Sequence, residues 1–377
     1  MRPGGEERVA SRKVSLEGIQ VLRAIAALLV VMHHALEESL AAIAPPKSPD
    51  WLTTFGAAGV DIFFVISGFI MFYVSFPTDR PAASPASFLL KRITRIYPLY
   101  WFCVGLVLGL WSMGLFHALQ LDADVLVRSI FLLPSEHLII GVAWTLVYEM
   151  YFYLIFAATL KFCRPLVSLF GTSVAILILH ALNRYAPDAA LSVFLGNAIA
   201  VEFSFGLILA YLFRQWPRFN PAARLLWIPG FALLAIAPLV VPHANTTGLP
   251  SPMRVLAWGI PAFLIVLSFL SLNPNRTPLQ RLMVLLGDAS YAIYLTHPLV
   301  MITYARLLKG GLANVPQWPI IPIVVLLSAS LGLLVHVFVE RRLLASARGL
   351  FNRRLASGHF PQEQPRHVLK SRISTRK

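Results

Sequence analysis

The 377-residue chain is 57% hydrophobic and only 13% charged, with a mean hydropathy of +0.71, whereas soluble domains carry roughly 25% charged residues. Its charges are lopsided, with 32 Lys and Arg against 17 Asp and Glu and a formal net of +15. These values exclude a disordered chain and disfavour a soluble nucleic-acid binder, while two cysteines, Cys103 and Cys163, are too few for a disulfide framework or a four-ligand zinc site.

What remains is an all-α polytopic membrane protein. A transmembrane helix needs ~20 mostly apolar residues. About ten such stretches follow one another, at 19–38, 55–76, 97–117, 142–161, 165–183, 191–213, 225–242, 254–272, 282–305 and 319–340. The first has no small-residue cleavage site and reads as a retained span, not a signal peptide. Residues 125–133 are too short to cross and read as a re-entrant or interfacial piece. No internal repeat is visible, which counts against transporter folds built from duplicated halves.

Ten spans place both termini on one side. With that side cytoplasmic, inside segments hold twenty-five basic residues and outside loops six: Lys47, Arg128, Arg184, Arg254, Arg306 and Lys309. The positive-inside rule then sets the orientation. Arg23 alone is placed within a span. The chain divides into a basic N-terminal tail (1–14), a transmembrane domain (15–345) and a basic cytoplasmic tail (346–377). That last tail is expected to be disordered against anionic lipid headgroups, not a nucleic-acid arm.

Ionisable groups inside a membrane are functional-site hypotheses. In the first span Arg23 and His34 are eleven positions apart, so they share a face and stand ~16 Å apart along the axis. His33 points about a quarter-turn away and looks elsewhere. The competing reading leaves both histidines in the outer interface, bonded to water. The second span carries Asp61 near its outer end, read as a cap or interface residue, and a Ser67-Gly68 step suited to close helix packing. Next, in FLLKRITRIYPLYWF, Arg92 and Arg95 project from one side of a helical turn. Paired guanidiniums suit a phosphate-bearing ligand, and topology anchoring is the alternative. Glu149 lies inside the aromatic WTLVYEMYFY helix, in line with Thr145 and Tyr153. In the ninth span GDASYAIYLTHPLV interrupts the apolar run with Asp288, Ser290, His297 and Pro298. A broken helix at that depth must line a cavity or pack on protein.

Taken together, Arg23-x10-His34, GVDIFFVISGF, KRITRIYPLYW, WTLVYEMYFY and YAIYLTHPL resemble the acyltransferase-3 family of multi-pass bacterial membrane acyltransferases. GIQVLRAIAALLVVMHH and GAAGVDIFFVISGFIM look closest to its exopolysaccharide-acetylating branch. The doubled histidine, and the single Glu149 preceded by Tyr148 and followed by Met150, depart from the family pattern. The resemblance implies an enzyme of the bacterial inner membrane. It would transfer an acyl group, usually acetyl, from cytoplasmic acyl-CoA to a hydroxyl of a surface or lipid-linked polysaccharide. It aligns His34 with the family's essential histidine, Arg23 with its partner and Glu149 with the family glutamate. Arg92 and Arg95 match the R-x-x-R that holds the nucleotide phosphates of CoA, and neighbouring Lys91 is added to them as a further candidate phosphate ligand.

These readings combine into one expectation. His34 acts as general base or transient acyl carrier, and Glu149 or Asp61 orients its imidazole. Arg23 binds CoA or stabilises charge on the thioester oxygen. Tyr291 and His297 are the candidate substrate-binding residues. No metal is expected; expected partners are acyl-CoA, the glycan acceptor, membrane lipids and polysaccharide-assembly proteins. The rival class is a transporter or flippase for a lipid-linked glycan, whose polar path would use the same buried charges.

Overall fold

The structure is a computed structural model describing residues 16–42, 50–79, 81–114, 121–216, 221–240, 251–271 and 277–356. The tail 1–14, Lys47 and residues 357–377 lie outside the described residues. Among those described there is no strand. The helices are α1 (Glu17–Ala42), α2 (Asp50–Ser75), α3 (Pro85–Ser112), α4 (Ala123–Phe131), α5 (Trp144–Leu160), α6 (Pro165–Ala181), α7 (Ala189–Gly196) and α8 (Glu202–Gln215). They continue with α9 (Trp227–Val240), α10 (Ser251–Arg254), α11 (Ile260–Leu270), α12 (Pro278–Asp288), α13 (Ser290–Lys309), α14 (Ile320–Val335) and α15 (Arg341–Ala356).

Six of the described helices are long and apolar enough to cross a bilayer: Glu17–Ala41, Phe55–Ser75, Pro85–Ser112, Gly141–Leu160, Ala198–Gln215 and Ile320–Ala347. Three shorter apolar helices, Pro165–Ala181, Ala222–Ala237 and Val255–Leu270, accompany them. Large apolar side chains such as Phe170, Leu154 and Leu326 remain exposed, as expected where lipid is the solvent.

Four sequence expectations change. The third span begins at Pro85, not near 97, so Lys91, Arg92 and Arg95 lie within one continuous helix. Ser84 caps that helix by accepting from the Ser87 N–H, and Pro85 opens its first turn. The stretch 191–213 is two helices, because extended Asn197 stops α7 and its side chain accepts from the Ile199 N–H. The ninth stretch does break, but at Ala289 between α12 and α13, and Pro298 is absorbed inside α13. The first part of the segment from 346 onward is helical, as the end of α15.

Residues 123–131 form a short helix, as their length demands. Its terminal carbonyls, which a helix end leaves without partners, accept from α3: Tyr100 Oη to Ser129 (2.7 Å), Trp101 Nε1 to Ile130 (3.0 Å) and Tyr97 Oη to Phe131 (3.1 Å). Helix α1 runs through the middle of the assembly, packed on α2, α12, α13 and α14. Close approach rests on small residues. A Cβ at Gly68 of α2 would strike the Phe203 carbonyl of α8, and one at Gly206 of α8 would strike the Val65 carbonyl of α2.

Overpacking a tight core costs about 1–3 kcal/mol. Gly206→Ala is therefore expected to lower the unfolding midpoint of the detergent-solubilised protein. Gly105→Ala, whose new methyl meets open space, should leave it unchanged in the same thermal melt.

Candidate active site

A cavity of about 170 Å³ opens between α1, α2, α3, α5 and α13, with Arg23, Arg92, Arg95, Glu149 and Tyr291 in its lining. The fold thus gathers five of the sequence-selected residues from four helices. Thr145, Glu149 and Tyr153, one turn apart on α5, line it as a stripe. Ser67 donates to Glu149 Oε1 at 2.9 Å, so the Ser67-Gly68 step serves two ends: glycine for packing, serine for the carboxylate. Thr145 donates to Tyr294 Oη (3.0 Å) and Tyr294 to the Val142 carbonyl (2.9 Å), fastening α5 to α13.

The three guanidiniums differ. Arg23 donates to Gln20 Oε1 (3.1 Å) and lies in the field of Arg95, Asp288, Glu340 and Glu149. Arg95 donates to Glu340 Oε1 (2.6 Å) and stacks on Tyr291, whose hydroxyl donates to the Ile96 carbonyl. Arg92 lies over the Phe88 ring, and its Nε makes no hydrogen bond among the described residues. The Ser290 hydroxyl, also lining the cavity, is likewise unsatisfied. Lys91 is exposed on α3 and is not part of the lining.

His34 stands at the other end of the same α1–α13 contact. Its ring stacks on that of fully buried His297, centroids 5.2 Å apart. His297 follows Tyr294 along α13, with ring centroids 5.8 Å apart. Arg23 beside Tyr291 and His34 beside His297 therefore mark two ends of one helical seam. The His297 ring nitrogens make no hydrogen bond of normal geometry among the described residues. The Tyr294 carbonyl one turn back has lost its helical donor to Pro298.

The carboxylate at the histidines is Glu37. Its Oε2 meets His34 Nδ1 at 3.1 Å and His33 Nε2 at 3.3 Å. His33 does not look elsewhere, because side chains at i, i+1 and i+4 converge when the last is long enough to swing toward both. His33 is only 4% exposed, against 32% for His34 and 45% for Glu37. These three are also the described residues able to hold a metal ion, with ligand atoms within 4.8 Å of one another. The two contacts they make have the lengths of hydrogen-bonded pairs.

Asp61 and Glu149 are engaged elsewhere. Asp61 is fully buried and receives Arg254 through Nε (3.1 Å) and Nη2 (2.8 Å). The sequence reading put Arg254 in an outer loop. It is instead 4% exposed, stacked on Trp258, with buried Glu202 beside the pair. A lone aspartate at that depth is costly and draws its counter-ion inward. Spacing within α2 gave no sign of a partner nearly two hundred positions away. Glu37, three residues after His34, was visible as a helical neighbour.

The described helices thus form an apolar bundle with a carboxylate-held histidine at one end of a seam and an arginine-lined cavity at the other, and the class of protein is given by its relatives. The acyltransferase-3 family model, described as an acyltransferase domain, matches residues 16–337, and the chain belongs to that family. It is 34% identical over 322 residues to the exopolysaccharide production protein ExoZ of Rhizobium meliloti, covering 81% of this chain and 94% of that protein. It is 27% identical over 340 residues to the acyltransferase MdmB of Streptomyces mycarofaciens, covering 81% and 84%. No solved structure matches.

Removing one partner of a buried ion pair costs about 3–5 kcal/mol. Arg254→Ala should therefore destabilise the purified protein strongly in a denaturant titration. Asp61→Asn combined with Arg254→Gln should recover part of the loss.

Proposed function

We propose that this protein transfers an acyl group, acetyl in the usual case, from acyl-CoA to a hydroxyl of a surface or lipid-linked polysaccharide. It would do so in the bacterial inner membrane, with ten spans and both termini cytoplasmic. The observation that carries the reading is the α1–α13 seam, which joins an anion-seeking cavity to a histidine able to take a proton. Arg92 and Arg23 offer guanidinium donors that suit phosphate oxygens. The name of the exopolysaccharide relative supports a glycan acceptor.

The chemistry follows from the Glu37–His34 contact. With Nδ1 turned to the carboxylate, the proton sits on Nδ1 and Nε2 is left as the base, the arrangement in which a carboxylate orients an imidazole for proton abstraction. The acceptor hydroxyl loses its proton to Nε2 as its oxygen bonds to the thioester carbonyl carbon. The carbon–sulfur bond then breaks, and the thiolate recovers the proton from the imidazolium. The ester and free CoA leave, and no proton is gained or lost overall. Partial exposure of His34 allows an acceptor to approach it, while His297 backs the ring from the protein side. Glu149, held by Ser67, faces the cavity as a counter-charge to its guanidiniums. Tyr291 and His297 fix the seam along which donor and acceptor meet.

Reconstituted protein given acetyl-CoA and the host's glycan fraction should produce acetylated glycan and free thiol in equal amounts. General-base catalysis contributes about 10²–10⁴-fold. His34→Ala should therefore abolish turnover, and Glu37→Gln should lower kcat by about 10²-fold with little change in KM. Loss of turnover in His33→Ala with His34 intact would move the base to His33. Glycan movement across vesicles without thiol release would favour the flippase.

A further inference from the structure

Glu340 is fully buried, and both its oxygens are taken, Oε1 by Arg95 Nη1 and Oε2 by His336 Nδ1, each at 2.6 Å. His336 and Glu340 open and close a single π-helical turn between α14 and α15, and α15 packs back on α3. The carboxylate thus reaches a cavity arginine from a turn that contributes no residue to the cavity lining. Nothing in the sequence motifs assigns it a part in the reaction.

Arg23, Arg92 and Arg95 face one cavity whose lining contains a single carboxylate, Glu149. Like charges held this close in a low-dielectric interior repel strongly unless compensated. Arg95 is compensated from outside by Glu340 and fixed from below by the Tyr291 ring. Arg92 also has a ring beneath it, Phe88, but makes no ion pair among the described residues, and its Nε is unsatisfied. The two arginines of the R-x-x-R turn are therefore not equivalent.

We infer that Glu340 is a built-in counter-anion that occupies Arg95, so that an incoming phosphate meets Arg92 and Arg23, and that this sets how tightly the cavity holds an anionic nucleotide. Glu340 and Arg95 are positioning residues. The inference rests on the nucleotide reading of the cavity given above. A cavity with all three guanidiniums free would hold product CoA too firmly. Compensation of one keeps binding reversible.

The test is calorimetric titration of the full-length protein in nanodiscs with free CoA and, separately, with inorganic pyrophosphate. A charge-assisted hydrogen bond gained or lost is expected to change affinity by about tenfold. Arg92→Gln should weaken CoA binding by about tenfold, and Arg95→Gln should change it by less than about threefold. Glu340→Gln should tighten both ligands by about tenfold, lowering KM and kcat together as product release slows. The charge-neutral double variant Arg95→Gln with Glu340→Gln should return to the parent affinity, and it carries the test if the single Glu340 variant does not fold. The inference is overturned if Glu340→Gln weakens CoA as Arg92→Gln does, or if Arg95→Gln is the more damaging of the two arginine variants. If pyrophosphate tightens in Glu340→Gln while CoA is indifferent to Arg92→Gln, the counter-anion role stands and the nucleotide reading fails.

Discussion

Charge compensation away from water governs this fold. A guanidinium or carboxylate inside an apolar bundle is tolerated only when another charge or a set of hydrogen bonds replaces its lost hydration. Most of the buried ions here obey that rule locally: Asp61 takes Arg254 and Arg95 takes Glu340, while the Glu149 carboxylate accepts from Ser67. The cavity between α1, α2, α3, α5 and α13 is where the rule is left incomplete, since guanidiniums outnumber carboxylates and Arg92 keeps an unused donor. The proposed affinity of this site for an anion has the same origin as the pairs that hold helices together.

Packing then determines where that imbalance leads. Helix α1 lies against α13 along their lengths, and the pair carries the arginine end and the histidine end on one seam. Small residues let α2 and α8 approach to backbone contact, which fixes Ser67 opposite Glu149. At the far end Glu37 draws two adjacent imidazoles to one oxygen. The guanidiniums and the imidazoles are thus held apart at two ends of one helix pair.

Much of this was legible in the sequence, and the gaps have physical causes. Hydropathy marked the long helices because lipid demands apolar runs, and helical periodicity put Arg23 and His34 on one face. Family motifs pointed to Arg92, Arg95 and Glu149, which the fold gathers into one lining. The breaks at Asn197 and Ala289 escaped because apolar composition continues across them. Arg254 was misplaced because charge counting assigns a basic residue to the nearest loop, whereas a buried aspartate on another helix had the stronger claim. Glu340 lay hidden in an apolar run just before two arginines, where nothing local separates a buried acid from an interfacial one. His33 was discounted by helix geometry alone, which ignores the reach of a flexible glutamate three and four positions on.

The π-helical turn at His336–Glu340 joins a backbone irregularity to a buried, paired charge. Such a turn amounts to one extra residue accommodated within a helix. Deleting a single residue from α14 just before it would rotate everything beyond by about 100° and withdraw Glu340 from Arg95 in the same step. The register of α15 against α3 and the charge state of the cavity are consequently inherited together. Chain length leading into this turn is therefore under tighter constraint than its apolar composition suggests, and substitutions in α14 are expected to be better tolerated than insertions or deletions.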